Sequence, residues 1–307
     1  MELSYTVKAE DNGKLLKDVA KRRLLLSNRL FNKLKLEHHI FINNNIAFAN
    51  DILHKGDVIF VDFNYDEEDD IVPQKKNIKV LYEDDWYIAV EKESGIVVHP
   101  CSYHKDNTLA NFVKYYLKSN KKIRPVNRLD KGTSGIVLFA KCEYAQERFK
   151  ELDQESVTKE YIAIVEGKLE NKEGTIDAPI ARKEGSIIER CVDLKNGQKA
   201  ITHYIVKKKY KYKDLNIKNK IYDSEDDAVS QVLVQLETGR THQIRVHFSY
   251  INHPLVGDGL YNEKYKKYKD DTNQILHACK LEFIHPILNK KIIIKSDFNL
   301  EKFIKNS

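Results

Sequence analysis

Apolar residues in this chain fall into short runs of strand length, and few of them continue into helices. After residue 78 the runs are 78–82, 87–90, 96–98, 136–140, 161–165, 201–206, 232–236 and 291–294, rich in valine, isoleucine and aromatic residues. Helices are few there, and 109–117 and 144–152 carry the clearest helical period. Many strands with few helices between them predict an α+β fold whose sheet is mixed and mostly antiparallel, because a doubly wound sheet needs a helix after nearly every strand. Residues 207–227, first lysine- and tyrosine-rich and then acidic, read as an extended hairpin or a surface insertion.

At 307 residues the chain has room for two domains. No run of about 18 apolar residues is present, so no membrane partner is expected. The start, Met1 to Tyr5, lacks a basic segment followed by an apolar run, which argues against a secretory signal. Cys101, Cys142, Cys191 and Cys279 stand far apart with no C-x-x-C pair, so neither zinc nor a disulfide framework is expected. Cytoplasmic placement and a monomer are the expectations.

The first 72 residues differ in character from the rest. Leu15, Leu16, Val19 and Ala20, then Leu26, Leu30 and Leu34, predict two short helices. Ile40 to Ile42, a turn at Asn43-Asn44-Asn45, and Val58 to Val61 predict a small β unit. From Lys14 to Lys35 there are eight basic residues, Lys21, Arg22, Arg23 and Arg29 among them, against the single acid Asp18. A field of that sign attracts phosphate. Net charge is only +6, so the clustering argues for a polyanion partner more than the total does. An acidic stretch, 66–70, reads as a linker to a domain covering 73–307.

Four separated segments carry side chains able to do chemistry. Arg128-Leu129-Asp130 precedes the turn Lys131-Gly132-Thr133-Ser134-Gly135, which places a carboxylate at the mouth of the 136–140 strand. Tyr161 opens another strand. Thr238-Gly239-Arg240-Thr241-His242-Gln243-Ile244-Arg245 leads into a helix marked by Ile244, His247, Phe248 and Ile251, with Thr241 as its expected N-cap. Arg240, just ahead of that helix, suits a carboxylate or phosphate partner. Leu276-His277-Ala278 is the fourth. Ser134 is no hydrolase nucleophile, since the G-x-S-x-G elbow is missing. His242 and His247 are five apart, off the helical ligand spacing, so no metal is expected. No second acid stands in these segments to partner Asp130 in a retaining glycosidase.

In order and spacing the four segments resemble the RluA family of RNA pseudouridine synthases. Ser94 to Pro100, Ala200 to Tyr204, His253 to Asp258 and Phe283 to Pro286 extend the likeness over most of 78–290. The two helices and β unit at the N-terminus resemble the RNA-binding domain named after ribosomal protein S4. The resemblance implies a pseudouridine synthase fold behind an S4-like domain, and a reaction without cofactor. It implies Asp130 as catalytic aspartate, Arg240 paired with it, Tyr161 against the base, and Arg128 holding the flipped nucleotide. Leu129 and Ile244 are the expected lining of the base pocket. Ribosomal RNA is the expected partner, with transfer RNA, or silent RNA binding in ribosome assembly, as alternatives. Asn127 stands where the family commonly has His, and Glu93 where it has Pro.

Overall fold

The computed structural model describes the chain except for residues 68, 102, 103, 119, 120, 216–226, 269–271 and 299–307. The N-terminal part folds as β1 (Glu2–Thr6), α1 (Leu16–Arg23), α2 (Asn28–Leu36), β2 (Ile40–Ile42), β3 (Asn45–Ile46) and β4 (Val58–Asp62). Its four strands pair in the order β1-β4-β2-β3. Asn43 and Asn44 take φ of +48° and +67° in the β2–β3 hairpin, a conformation asparagine tolerates better than most side chains.

The remaining strands are β5 (Lys79–Glu83), β6 (Tyr87–Lys92), β7 (Arg124–Pro125), β8 (Ser134–Ala140), β9 (Thr158–Glu166), β10 (Glu173–Asp177), β11 (Ile180–Arg182), β12 (Arg190–Val192), β13 (Ile201–Lys211), β14 (Ala228–Leu236), β15 (Leu276–Ile284) and β16 (Lys291–Lys295). Helices α3 (Leu109–Leu117), α4 (Glu143–Lys150) and α5 (Gln243–Tyr250) accompany them. One large sheet runs β10-β13-β14-β9-β15-β8-β6-β5, with β16 added to β15 and β7 to β8. Among the described residues only β8 and β15 pair in parallel, so the expected mixed, mostly antiparallel sheet is what forms. Strand alternation splits its side chains between two faces. On one face Ile136, Leu138 and Ala140 join a core with Trp86 and the N-terminal helices. On the other, Val137 and Phe139 join Leu129, Tyr161, Val234 and Ile244.

Two expectations are corrected here, at 96–98 and in the acidic stretch. Residues 96–98 are irregular rather than a strand; the Val97 and Val98 carbonyls accept from Leu109 and Ala110 at the start of α3. At 207–227 the described residues agree with an extended hairpin, Lys208 to Lys211 pairing antiparallel with Gln231 to Ala228, while 216–226 lie outside the described residues. The acidic stretch is a packed strap, not a loose linker. Glu67 forks onto Arg124 at 2.6 and 2.7 Å and also meets Lys33 at 3.0 Å, with all but about a tenth of the Glu67 and Arg124 side chains covered. Asp69 pairs with Lys114.

The same contacts change the meaning of the basic run. Lys14, Arg22 and Arg23 close on the buried Asp11, and Arg29 and Lys33 reach Glu143 on α4. Lys17, Lys21 and Lys35 are left without an ion pair among the described residues. Phe63 stacks on Tyr144 at 5.1 Å, and the Tyr144 hydroxyl donates to the Leu24 carbonyl at 2.9 Å. The N-terminal part is thus fastened to α4 by packing as well as by charge. Glu67→Ala removes the carboxylate forked onto a buried guanidinium and leaves it only Glu143, at 4.0 Å, as counter-charge, a loss of up to about 3–5 kcal/mol. Urea denaturation should show that loss, and limited proteolysis should cut near residues 64–77 in the variant while sparing the wild type.

Candidate active site

Asp130 lies in the turn that joins β7 to β8. The Thr133 N–H closes that turn on the Asp130 carbonyl at 3.1 Å. Lys92, with no exposed surface, donates from its ammonium to the carbonyls of Glu93, Ile96 and Lys131 at 3.0, 2.7 and 3.0 Å. Ser94 Oγ and the Gly95 N–H add bonds to the Gly132 and Lys131 carbonyls at 2.7 and 2.8 Å. The turn is therefore stitched to the end of β6 from several directions. Where β8 meets β15, Gly135 has φ +111°, and a Cβ there would stand 2.3 Å from the Ala278 carbonyl oxygen. Only glycine permits that approach. Asn127 bridges to β8 through the Ile136 carbonyl at 3.2 Å and the Leu138 N–H at 2.7 Å.

The cation on Asp130 is Arg245, and this corrects the expectation that it would be Arg240. Arg245 Nη1 donates to Asp130 Oδ2 at 3.1 Å. Its Nε and Nη2 fork onto Asp258, each at 2.8 Å. Asp258 is fully buried and also accepts the N–H groups of Leu260 and Tyr261. Burial works against the charge on Arg245, but Asp258 and then Asp130 outweigh it, and its pKa rises. Arg240 instead donates Nε to the Lys199 carbonyl at 3.0 Å. His242, at φ +58°, occupies the cap rather than Thr241; Arg240 belongs to the approaching loop, while Arg245 sits on the buried first turn, whose packing carries it to Asp130. The Gln243 side chain secures that loop, its Oε1 accepting from the Arg240 N–H at 2.9 Å and from the Thr238 hydroxyl at 2.8 Å.

These groups border a cleft holding about 400 Å³ of empty space, part of it open to solvent. Leu129, Leu236, Ile244 and Leu276 supply its apolar wall; the exposed Arg128 and Arg240 also border it. Tyr161 lines it from β9, paired across to Val234 and Ala278. Burial and the nearby Asp130 charge push the Tyr161 phenol well above its ordinary pKa, so it keeps its proton at neutral pH. Lys21, Arg22, Arg23 and Arg29, the cations expected to meet RNA, do not line this cleft. Lys92, His242, Arg245 and Asp258 were not singled out for it from the sequence. Arg245 had one signal available: a charge amid the apolar spacing of Ile244, His247 and Phe248.

Known proteins define the class that this geometry serves. Residues 86–250 match the family model described as RNA pseudouridylate synthase. The chain belongs to that family and is an isomerase that converts uridine in RNA to pseudouridine. It is 34% identical over 300 residues, 96% of this chain and 93% of the other, to an uncharacterized RNA pseudouridine synthase, YhcT, of Bacillus subtilis (strain 168). It is 36% identical over 239 residues to a ribosomal large subunit pseudouridine synthase D of Blochmanniella floridana, covering 72% of this chain and 69% of that one. Among solved structures, Human RNA Pseudouridylate Synthase Domain Containing 1 shares the fold with a TM-score of 0.59 at 24% identity, over 76% of this chain and 86% of that one. No helix among the described residues is long and apolar enough to cross a membrane.

Two outcomes follow from the site. Arg245→Ala leaves Asp258 buried without its counter-charge and should cost about 3–5 kcal/mol, whereas Arg240→Ala should stay within about 0.5 kcal/mol; urea melts of the two variants separate them. Burial, opposed by the Asp130 charge, pulls Lys92 down to about 7. Its unfolded pKa is about 10.4, so between those values the unfolded chain binds more protons and the stability contributed by this group grows with pH. The stability difference between wild type and Lys92→Met should therefore shift toward wild type from pH 7 to 9, by up to about 1.4 kcal/mol per unit.

Proposed function

We propose that the chain acts on uridines of large-subunit ribosomal RNA, in the cytoplasm, with Asp130 as the catalytic carboxylate. The observation that carries this is the bond from Arg245 Nη1 to Asp130 Oδ2 at the edge of the cleft. A carboxylate so held keeps a fixed orientation facing the cleft. Several relatives bear the name ribosomal large subunit pseudouridine synthase D, which supports the choice of RNA.

The reaction breaks the bond from uracil nitrogen 1 to the ribose, turns the base over and joins carbon 5 to the sugar. The base must first leave its stack, at a cost of a few kcal/mol. Arg128, exposed beside the cleft, fills the vacated place, and Arg240 meets phosphate. Attack on the sugar and removal of a ribose proton both start from the same ionised Asp130. Tyr161 offers its ring to the everted uracil. Its phenol is held protonated by burial, so Asp130 rather than Tyr161 takes the proton lost from carbon 5. Leu129 and Ile244 pack against the base.

Residues 1–72 serve in this reading as an S4-like RNA-binding domain whose free cations are Lys17, Lys21 and Lys35. Full-length wild type and Asp130→Asn are compared on RNA carrying tritium at uracil carbon 5, prepared from cells lacking the enzyme. Wild type should release tritium from large-subunit ribosomal RNA; the variant should release none while still binding that RNA. Retained turnover by the variant refutes the role of Asp130, and release from transfer RNA alone refutes the ribosomal target.

A further inference from the structure

His242 stands beside Asp130 but takes no part in the chemistry as described so far. Its Nε2 lies 3.7 Å from Asp130 Oδ2, the oxygen that Arg245 also holds. Its Nδ1 is 2.8 Å from the Tyr261 hydroxyl. That hydroxyl in turn accepts the Arg190 backbone N–H at 2.8 Å. Among the described residues none is hydrogen-bonded to Asp130 Oδ1.

The tautomer follows from the partners at both ends. Burial keeps the Tyr261 phenol protonated, at about 12. With Arg190 donating to its oxygen, its own proton has one acceptor in reach, His242 Nδ1. An imidazole that accepts at Nδ1 carries its proton on Nε2. That N–H faces a carboxylate, which favours the same form. The Arg245 guanidinium lies 5.0 Å over the Tyr261 ring; burial and that charge lower the pKa of His242 against the opposing pull of Asp130, which favours the neutral ring.

We propose that His242 is a positioning residue for the isomerisation: as its Nε2–H tautomer it donates to Asp130 Oδ2 beside Arg245, and leaves Oδ1 as the oxygen presented to the nucleotide. A shift of about 0.5 Å brings Nε2 into hydrogen-bond range, a tightening that catalytic bonds often undergo only on substrate. With one oxygen held by two donors, the carboxylate cannot rotate away from the base. This inference rests on Asp130 acting as proposed above.

Two variants separate reach from mere structure. Asparagine accepts the positive φ of residue 242 but is too short to reach Asp130; glutamine places an amide N–H near the Nε2 position. Single-turnover tritium release should fall about 10- to 100-fold in His242→Asn with RNA affinity unchanged, and should recover most of the way in His242→Gln. Wild-type rate in His242→Asn, or no recovery in His242→Gln, overturns the proposal. Nitrogen-15 NMR of labelled histidine tests it without turnover, the His242 signals being assigned by their loss in His242→Asn. The Nε2–H form is expected in wild type, with the tautomer no longer fixed in Tyr261→Phe; an Nδ1–H form in wild type overturns the proposal even if every activity reading of this protein fails.

Discussion

One guanidinium between two carboxylates organises this active site. Arg245 is fixed by its fork onto the buried Asp258, and Asp258 is itself fixed by two backbone N–H groups. What remains of the arginine, a single Nη1 donor, then points at Asp130 with little freedom. A buried charge without a partner is costly, so Arg245 and Asp258 constrain each other before RNA arrives. Asp130, the less buried of the two acids, keeps access to the cleft.

The sheet explains why these groups meet. Strand β15 lies between β8 and β9, and its parallel contact with β8 runs through Gly135 and Ala278. That register brings the turn bearing Asp130 beside the stretch of β9 bearing Tyr161. Helix α5 follows directly after β14, a neighbour of β9, and delivers Arg245 and His242 to the same place. The opposite face of the sheet is given over to the N-terminal part, packed through Phe63, Trp86 and Tyr144. The strap at Glu67 and Arg124 holds the N-terminal part in a set position against that face.

Elements with a strong local period were legible before any coordinates. Helix α3 forms at 109–117 as its apolar spacing indicated, and β8, β9 and β14 contain the runs expected of them. The turn bearing Asp130 was legible because glycine turns are local features; Tyr161 was picked out by the family resemblance, and it lies within β9, which begins at Thr158, rather than at its start. The strap was misread because composition registers charge and not the partner that neutralises it. Glu67 resembles linker until Arg124, 57 residues later, is placed against it. Arg240 was preferred to Arg245 for a related reason: a cation ahead of a helix looks free to meet an anion, and which arginine faces Asp130 depends on how α5 packs.

By itself the sequence determined that this chain forms a broad antiparallel sheet, places a carboxylate in a glycine-shaped turn, and carries the segments of a pseudouridine synthase. The sheet and the turn follow from backbone preference and periodicity, which act over a few residues; the synthase segments are recognised by their resemblance to the family. Which cation holds that carboxylate, which basic residues are already neutralised, and which imidazole nitrogen faces Asp130 were decided by the tertiary structure alone. Each depends on a distance between residues far apart in the chain, and such distances exist only once the sheet has closed its register.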